Sequence, residues 1–474
     1  MNILIVSDQF LRGGLEEQIV NHVNTLGKYH RFCFAFGKYE MREFFEGFAV
    51  YDVLRCGPAM SVQDVLDDVD RLCEIIKKES IDFIEVHPFY AFLPVMLAAN
   101  KCGVSVVHIM HGAPSILFDE RLNLVVTQRF FFTEFAPCVI MPNHLFDHVL
   151  QRQYGVRKLI FAPNTIDMNK YSRVRYNPKG SFALFSRLDE DKYIQVKKAV
   201  DYMGDLDLKI DIYGDGSCLP RMKKHVLDNG LEKRVVFMGW AEDVSKILHD
   251  NDYAGVIGGS RVALEGLASN LPTLLIGWDK VSGFIDAEVY GIIKNLNTSN
   301  RSLKEISESE LKEQLNELQM NPSKFRLREL AKRDFDNSVL TDIFDDVFDT
   351  AFKNMQHSNL LDELLNQIDK MTKENKKEMF FASATVSNLL EKIFIKHFVA
   401  NPLVMDLFRC RKIQKENDEL RKRMHEYTEY MQEQLSEMRS RLDVLENKKG
   451  ALERGIGRVV RKVKSIPKKK ERKR

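Results

Sequence analysis

Short continuous apolar runs alternate along this chain with longer segments whose apolar side chains recur every three or four positions. The short runs fit strands buried on both faces of a parallel sheet, and the 3.6-period segments fit helices that cover such a sheet. In the first third, residues 2–6, 31–36, 83–87, 104–110, 139–142 and 159–162 read as strands. The glycine pair at 13 and 14 enters a helix that runs to about residue 26, and residues 62–78 and 92–101 read as helices. The helix over 62–78 has Val65, Leu66, Val69, Leu72, Cys73 and Ile76 on one face. A second alternating block follows, with strands over 181–185, 208–213, 235–238, 253–257 and 274–276 and helices over 194–203, 219–229, 241–249 and 262–269. This β-α alternation predicts two doubly wound, Rossmann-like α/β domains.

The stretch 254–277 is the most informative. An apolar strand runs into Gly258, Gly259 and Ser260, then a helix, then Asn270 and Pro272, then another strand. Ser260 reads as an N-cap, Asn270 as a left-handed terminator and Pro272 as a stop. The two glycines let the backbone approach a ligand, and a glycine turn feeding a helix start is an anion site. Ligands of open parallel sheets sit beyond the carboxyl ends of the strands. Arg187, Gly214, Gly239 and Gly259 all follow strands in the second block, while Gly13, Gly14, His87 and His111 do so in the first. Two such edges predict a cleft between the domains.

Length and charge add an extension to this picture. The chain has 474 residues and a formal net charge of +2. Residues 451–474 hold eleven Lys or Arg against Glu453 and Glu471, a local charge of +9, so the rest carries −7. Seven cysteines without a C-x-x-C pair read as reduced thiols. No signal-peptide core and no transmembrane run are found in the sequence, and no His/Cys spacing points to a metal. The Asp-rich stretches 67–70 and 341–349 read as solvated helix faces.

Several motifs in order then resemble the retaining glycosyltransferases of family 4, which have the two-domain GT-B fold. They are Gly13-Gly14-Leu15-Glu16, His111-Gly112, Pro163-Asn164-Thr165-Ile166-Asp167, Ser186-Arg187 through Lys192, Gly214-Asp215-Gly216, and Leu264-Glu265-Gly266-Leu267-Ala268 with Leu271-Pro272. The resemblance covers residues 1–355. It implies an N-terminal acceptor-side domain over 1–165, a donor-binding domain over 166–335 and a crossover helix over 336–356. A helical or coiled-coil extension over 357–450 and a basic amphipathic tail over 451–474 complete the organisation. One departure stands out. The family often carries a second glutamate eight positions before Glu265, and Ile257 stands there, so the amides of 258–260 are the expected substitutes for its sugar contacts.

The implied reaction transfers a hexosyl-type sugar from a nucleotide-diphosphate sugar to a glycan or lipid-linked acceptor, with retention and without a metal or resident cofactor. Arg187 and Lys192 suit the diphosphate leaving group, against the plainer reading that they pair with Asp189, Glu190 and Asp191. Glu265 is expected on the ribose, and His111 on the sugar or diphosphate. Gly13, Gly14, Gly214, Gly239, Gly259 and Ser260 complete the expected donor site. Residues 413–445 form a charged helix with an imperfect heptad, open to a homodimer, to a partner or to packing on the body. Arg458, Arg461, Lys462 and Lys464 flank an apolar stripe of Ile456, Val459, Val460 and Val463, which fits an anionic membrane surface, with nucleic acid and a merely solvated tail as the rival readings. The expected location is the cytoplasm, peripheral to the inner face of the membrane. A sugar-nucleotide epimerase and a catalytically inactive GT-B scaffold are the competing readings.

Overall fold

A computed structural model describes residues 1–11, 14–40, 42–87, 90–111, 138–141, 158–172, 174–206, 208–354, 357–375 and 377–398. The first domain is a seven-stranded sheet: β1 (Asn2–Phe10), β2 (Arg31–Tyr39), β3 (Ala49–Tyr51), β4 (Phe83–Val86), β5 (Ser105–Ile109), β6 (Cys138–Met141) and β7 (Lys158–Phe161). Its order is β3-β2-β1-β4-β5-β6-β7, with every pairing parallel. Ile3 to Val6 are fully buried, as a strand covered on both faces requires. β1 runs past the polar residues at which the sequence pattern ends it. Gln9 and Phe10 still pair with Lys38 and Tyr39, and Phe10 is buried against Phe36 and Phe45.

Helix α1 (Gly14–Leu26), α2 (Val62–Lys78) and α3 (Phe92–Cys102) belong to this domain. Ser61 and Asp64 form a reciprocal capping box at the start of α2, and its apolar face is buried as the periodicity requires. Asp68 departs from the expected solvated face. It is fully buried, accepts from the Arg55 amide at 2.9 and 3.0 Å, and pairs with Arg71 at 2.9 Å. It ties down the chain before the helix.

The second domain has β8 (Phe182–Phe185), β9 (Ile210–Tyr213), β10 (Val235–Gly239), β11 (Gly255–Gly258), β12 (Thr273–Gly277) and β13 (Lys280–Phe284). The order is β10-β9-β8-β11-β12-β13; β13 is antiparallel to β12 and the rest are parallel. In each sheet the strand order reverses beside the first strand, between β1 and β4 and between β8 and β11. These reversals are the switch points where crossover loops diverge and leave a crevice.

The chain then returns. Helix Val339–Asn354 buries Leu340, Phe344, Val347 and Phe348 against Ile3, Ile5 and Phe83 of the first domain. Helix Asn359–Asn375 lies on α2 and α3, where the Asn100 amide donates to the Ser358 carbonyl at 3.1 Å. Phe380 is fully buried, and its amide donates to the Met60 carbonyl at 2.8 Å. Among the described residues, no helix is long and apolar enough to cross a membrane. The coiled-coil expectation over 413–445 and the tail residues Arg458, Arg461, Lys462 and Lys464 lie outside the described residues.

Candidate functional site

A cavity of about 1420 Å³ opens between the two sheets' carboxyl edges and is lined from both domains. Of the residues singled out in the sequence, Gly14, His111, Arg187, Lys192, Gly259, Ser260 and Glu265 line it. Gly214 and Gly239 are not among its lining, although Tyr213 and Trp240 beside them are. Gly13 lies outside the described residues.

Gly214, Gly258 and Gly259 serve close packing, whereas a Cβ on Gly14 or Gly239 would meet no neighbour. A Cβ on Gly214 would stand 1.9 Å from the Ser186 carbonyl oxygen, so this glycine lets the end of β9 touch the end of β8. A Cβ on Gly258 would meet Val262 at 2.1 Å, and one on Gly259 the Ile276 carbonyl oxygen at 2.2 Å. These two seat helix Arg261–Ala268 on β11 and β12. Ser260 stands at the N-cap position but does not cap with its side chain. Its backbone is at φ 51°, its amide donates to the Thr298 carbonyl at 3.0 Å, and its carbonyl accepts from the Thr298 hydroxyl at 2.8 Å. That amide is committed within the protein, which removes one of the expected sugar donors. Asn270 adopts the left-handed conformation its position calls for, at φ 57°.

Arg187 follows β8 at the switch point. Its guanidinium pairs with Asp189 and Asp191, both at 3.2 Å, and Lys192 pairs with Asp191 at 3.5 Å. Arg187 and Asp191 are exposed and Asp189 and Lys192 half-buried, and surface pairs of this kind contribute little to stability. The plain and the functional readings of these cations therefore coexist. A diphosphate brings more charge than one carboxylate and can take over the guanidinium in a bidentate contact.

Glu265 is 7% exposed. Burial pushes its carboxyl above the ordinary value, opposed by Arg261, whose Nε donates to Oε1 at 3.2 Å. The Tyr171 hydroxyl faces the same carboxylate. Arg261 also donates from Nη1 to the Thr165 carbonyl at 2.8 Å, and the Asn21 amide of α1 donates to that carbonyl at 3.1 Å. One carbonyl in the interdomain connection is thus held from both domains. Close by, Asn164 donates to Asn297 at 2.7 Å. Sequence reasoning missed Arg261, because its Thr165 partner is remote along the chain and an i, i+4 pair with Glu265 in the first turn resembles a solvated one.

Ile257 is fully buried in the second domain's core with Leu184, Leu274 and Ile276. It does not line the cavity, so in this chain the position belongs to the sheet's packing.

The first domain contributes His111, whose Nε2 lies 2.6 Å from Nδ1 of His87. His87 is buried, and desolvation holds it well below the ordinary imidazole range. The same effect pushes His111 down to about 3, which leaves it neutral at neutral pH. One proton is shared across the pair. If His87 donates, its Nε2, buried without a partner, is left as an acceptor; if it accepts, a buried N–H is orphaned, which is the rarer and costlier outcome. His111 is then an acceptor at Nε2 and carries its proton on Nδ1.

Residues 12–170 match the model of Glycosyltransferase Family 4. The UDP-Gal:alpha-D-GlcNAc-diphosphoundecaprenol alpha-1,3-galactosyltransferase of Escherichia coli is 23% identical over 254 residues; the match covers 48% of this chain and 65% of that relative's length. Among solved structures, Anabaena Alr3699/HepE in complex with UDP superposes with a TM-score of 0.55 at 15% identity, covering 74% of this chain and all of that one. A glycosyltransferase from Rickettsia africae ESF-5 gives 0.53 at 14% identity, covering 79% and 99%. Sucrose-phosphate synthase from Thermosynechococcus elongatus gives 0.52 at 13%, covering 73% and 99%. At these identities the likeness establishes the fold.

Proposed function

We propose that this chain, whose fold is GT-B and whose residues 12–170 match the Glycosyltransferase Family 4 model, transfers a hexosyl unit from a nucleotide-diphosphate sugar to a glycan or lipid-linked acceptor, with retention and without a metal. The observation that carries this reading is the placement of Arg187, Lys192 and Glu265 around one interdomain cavity at the β8/β11 switch point. Arg187 and Lys192 offset the negative charge that develops on the departing nucleoside diphosphate. Charge stabilisation of a developing anion is commonly a large contribution to rate. Glu265, held by Arg261, accepts from ribose hydroxyls. Neutral His111 donates a hydrogen bond to the sugar and does not act as an acid. The galactosyltransferase relative acts, by its name, on a lipid diphosphate acceptor, which supports a role in surface polysaccharide or glycolipid synthesis. The basic tail over 451–474 suits residence at the cytoplasmic face of an anionic membrane.

Calorimetry with UDP and turnover of UDP-glucose and UDP-galactose, with acceptor extracts, test the assignment. Arg187→Ala and Lys192→Ala are each expected to lower turnover by about 10²-fold or more, the scale of losing one charge-stabilising group, with an unchanged melting curve. Near-normal turnover in both variants refutes it. Nucleotide binding without turnover favours the inactive scaffold instead. Liposome flotation with and without residues 451–474 tests the membrane contact, and equal flotation removes that part.

A further inference from the structure

Ser260 and Thr298 hold each other in backbone conformations that neither residue favours. Besides the tight β12–β13 turn at Trp278 and Asp279, positive φ beside the cavity falls on Ser260 (51°), Asn297 (56°) and Thr298 (48°). Asparagine takes such a conformation readily, whereas a β-branched threonine there is an outlier. Ser260 is further out. With ψ at −117° it lies outside the left-handed region altogether. Two reciprocal bonds hold the pair. The Ser260 amide donates to the Thr298 carbonyl at 3.0 Å, and the Thr298 hydroxyl donates to the Ser260 carbonyl at 2.8 Å. Thr298 is 3% exposed and does not line the cavity, although Leu296, Asn297 and Ser299 around it do. Its hydroxyl therefore serves the head of the following helix, Arg261–Ala268, rather than a ligand.

The pair belongs to a closed circuit. Next to Thr298 stands Asn297, whose side-chain oxygen accepts from the Asn164 side-chain amide at 2.7 Å. Next to Asn164 stands Thr165, whose carbonyl accepts from the Arg261 guanidinium at 2.8 Å, and Arg261 follows Ser260. Peptide links and hydrogen bonds alternate around this circuit. Together they join the head of helix Arg261–Ala268, the 297–298 turn and the interdomain connection. The first domain holds the same connection from its own side. Gln18 accepts from the Thr165 amide at 3.2 Å, and Asn21 donates to the Thr165 carbonyl at 3.1 Å. The helix carries Glu265, one turn on from Arg261 and paired with it at 3.2 Å. Strained backbone survives only where its surroundings over-determine it, and such strain collects where a site has to be fixed in place.

We propose that Thr298 is a positioning residue for the donor site. Through Ser260 it fixes the head of the helix that carries Arg261 and Glu265, and through Asn297 and Asn164 it ties that helix to the connection between the domains. The inference rests on the donor reading above, in which Glu265 meets the ribose. Glycine at 298 would adopt the same turn without strain, so the backbone gives no reason for a threonine there; the hydroxyl does.

Calorimetry with UDP and melting curves of the full chain test this role. Loss of the hydroxyl in Thr298→Val or Thr298→Gly is expected to weaken UDP binding about tenfold, the scale of one hydrogen bond. Thr298→Ser, which keeps the hydroxyl, is expected to bind as the parent does. Melting temperature sorts the variants differently, because Thr298→Gly also releases the strained turn and so melts above Thr298→Val. Asn164→Ala weakens UDP binding in the parent and adds less in Thr298→Gly, since both break the same circuit. Parent-like affinity in Thr298→Gly, weakened binding in Thr298→Ser, affinities that simply follow the melting temperatures, or full additivity with Asn164→Ala each overturn the inference while leaving the donor reading intact. A parent chain that does not bind UDP overturns the donor reading, and the role of Thr298 falls with it.

Discussion

Replacing Arg261 with leucine leaves Glu265 without its cation in a site that is 7% exposed. Removing one partner of a buried ion pair costs about 3–5 kcal/mol. The Arg261 side chain is 26% exposed, so water screens part of the pair, and about 2–3 kcal/mol is the appropriate share. The bond to the Thr165 carbonyl adds less, roughly 0.5–1 kcal/mol, because Asn21 still satisfies that oxygen. A total of about 3 kcal/mol corresponds to a fall in Tm of roughly 6–12 °C for a domain of this size. The deficit has a signature in pH. Glu265 already sits above its ordinary value of 4.5 when folded, and losing Arg261 raises it further. A carboxyl whose folded pKa exceeds its unfolded value weakens the fold as pH rises through the folded value, and the penalty disappears below the unfolded one. The difference between variant and parent is therefore largest at pH 8 and narrows as pH falls toward the ordinary carboxyl value, below which only the Thr165 bond is missing. Melting curves across that range measure it, and adding Glu265→Gln to the variant should recover most of the loss at pH 8. A deficit that does not change with pH, or one the second substitution deepens, refutes the account.

Three further outcomes follow from the same reasoning. Ile257→Glu, which restores the family's carboxylate pattern, places a charge in a packed core; it is expected to destabilise by about 3 kcal/mol or more without raising turnover, and a gain of activity in a stable variant contradicts the burial argument. Gly214→Ala sets a methyl group against the Ser186 carbonyl, so it should lower the melting temperature and weaken UDP binding together by moving β8 and Arg187; unchanged affinity by calorimetry counts against it. His87 and His108 are held neutral by burial, below the ordinary value of 6.5, so the unfolded chain takes up protons first on acidification. Stability should fall as pH drops below 6.5, by up to about 1.4 kcal/mol per unit for each imidazole, and a flat profile between pH 6.5 and 5 refutes it.

The β-α alternation, the two glycine-rich edges and the cleft were legible because parallel strands buried on both faces write uninterrupted apolar runs. Asn270 was legible for a local reason, its left-handed conformation. Ser260 misled for a local reason too, since its sequence context reads as a cap while Thr298 holds its backbone from elsewhere. The edge strand β13 and the Trp278 turn carry no Asn-Gly signal, so nothing in the pattern marks them. Asp68 looked like one more charge on a polar face, and only its tertiary contact with the Arg55 amide reveals it as buried. Arg261 was invisible because its meaning lies in Thr165, 96 positions away. Ile257 looked like a lost ligand because motif spacing says nothing about which way a strand residue faces.

The return of the chain to the first domain also sets the order of events during synthesis. The first sheet's core is closed by Leu340, Phe344 and Phe348, and its flank by Phe380. None of these residues exists when the ribosome has finished β7. The second domain, complete by about residue 335, can fold first, while the half-built first sheet exposes Ile3, Ile5 and Phe83. Translation from residue 170 to 390 takes roughly 10–45 s at about 5–20 residues per second. A nascent first domain thus waits with an open apolar face, and that interval is where a chaperone would be needed.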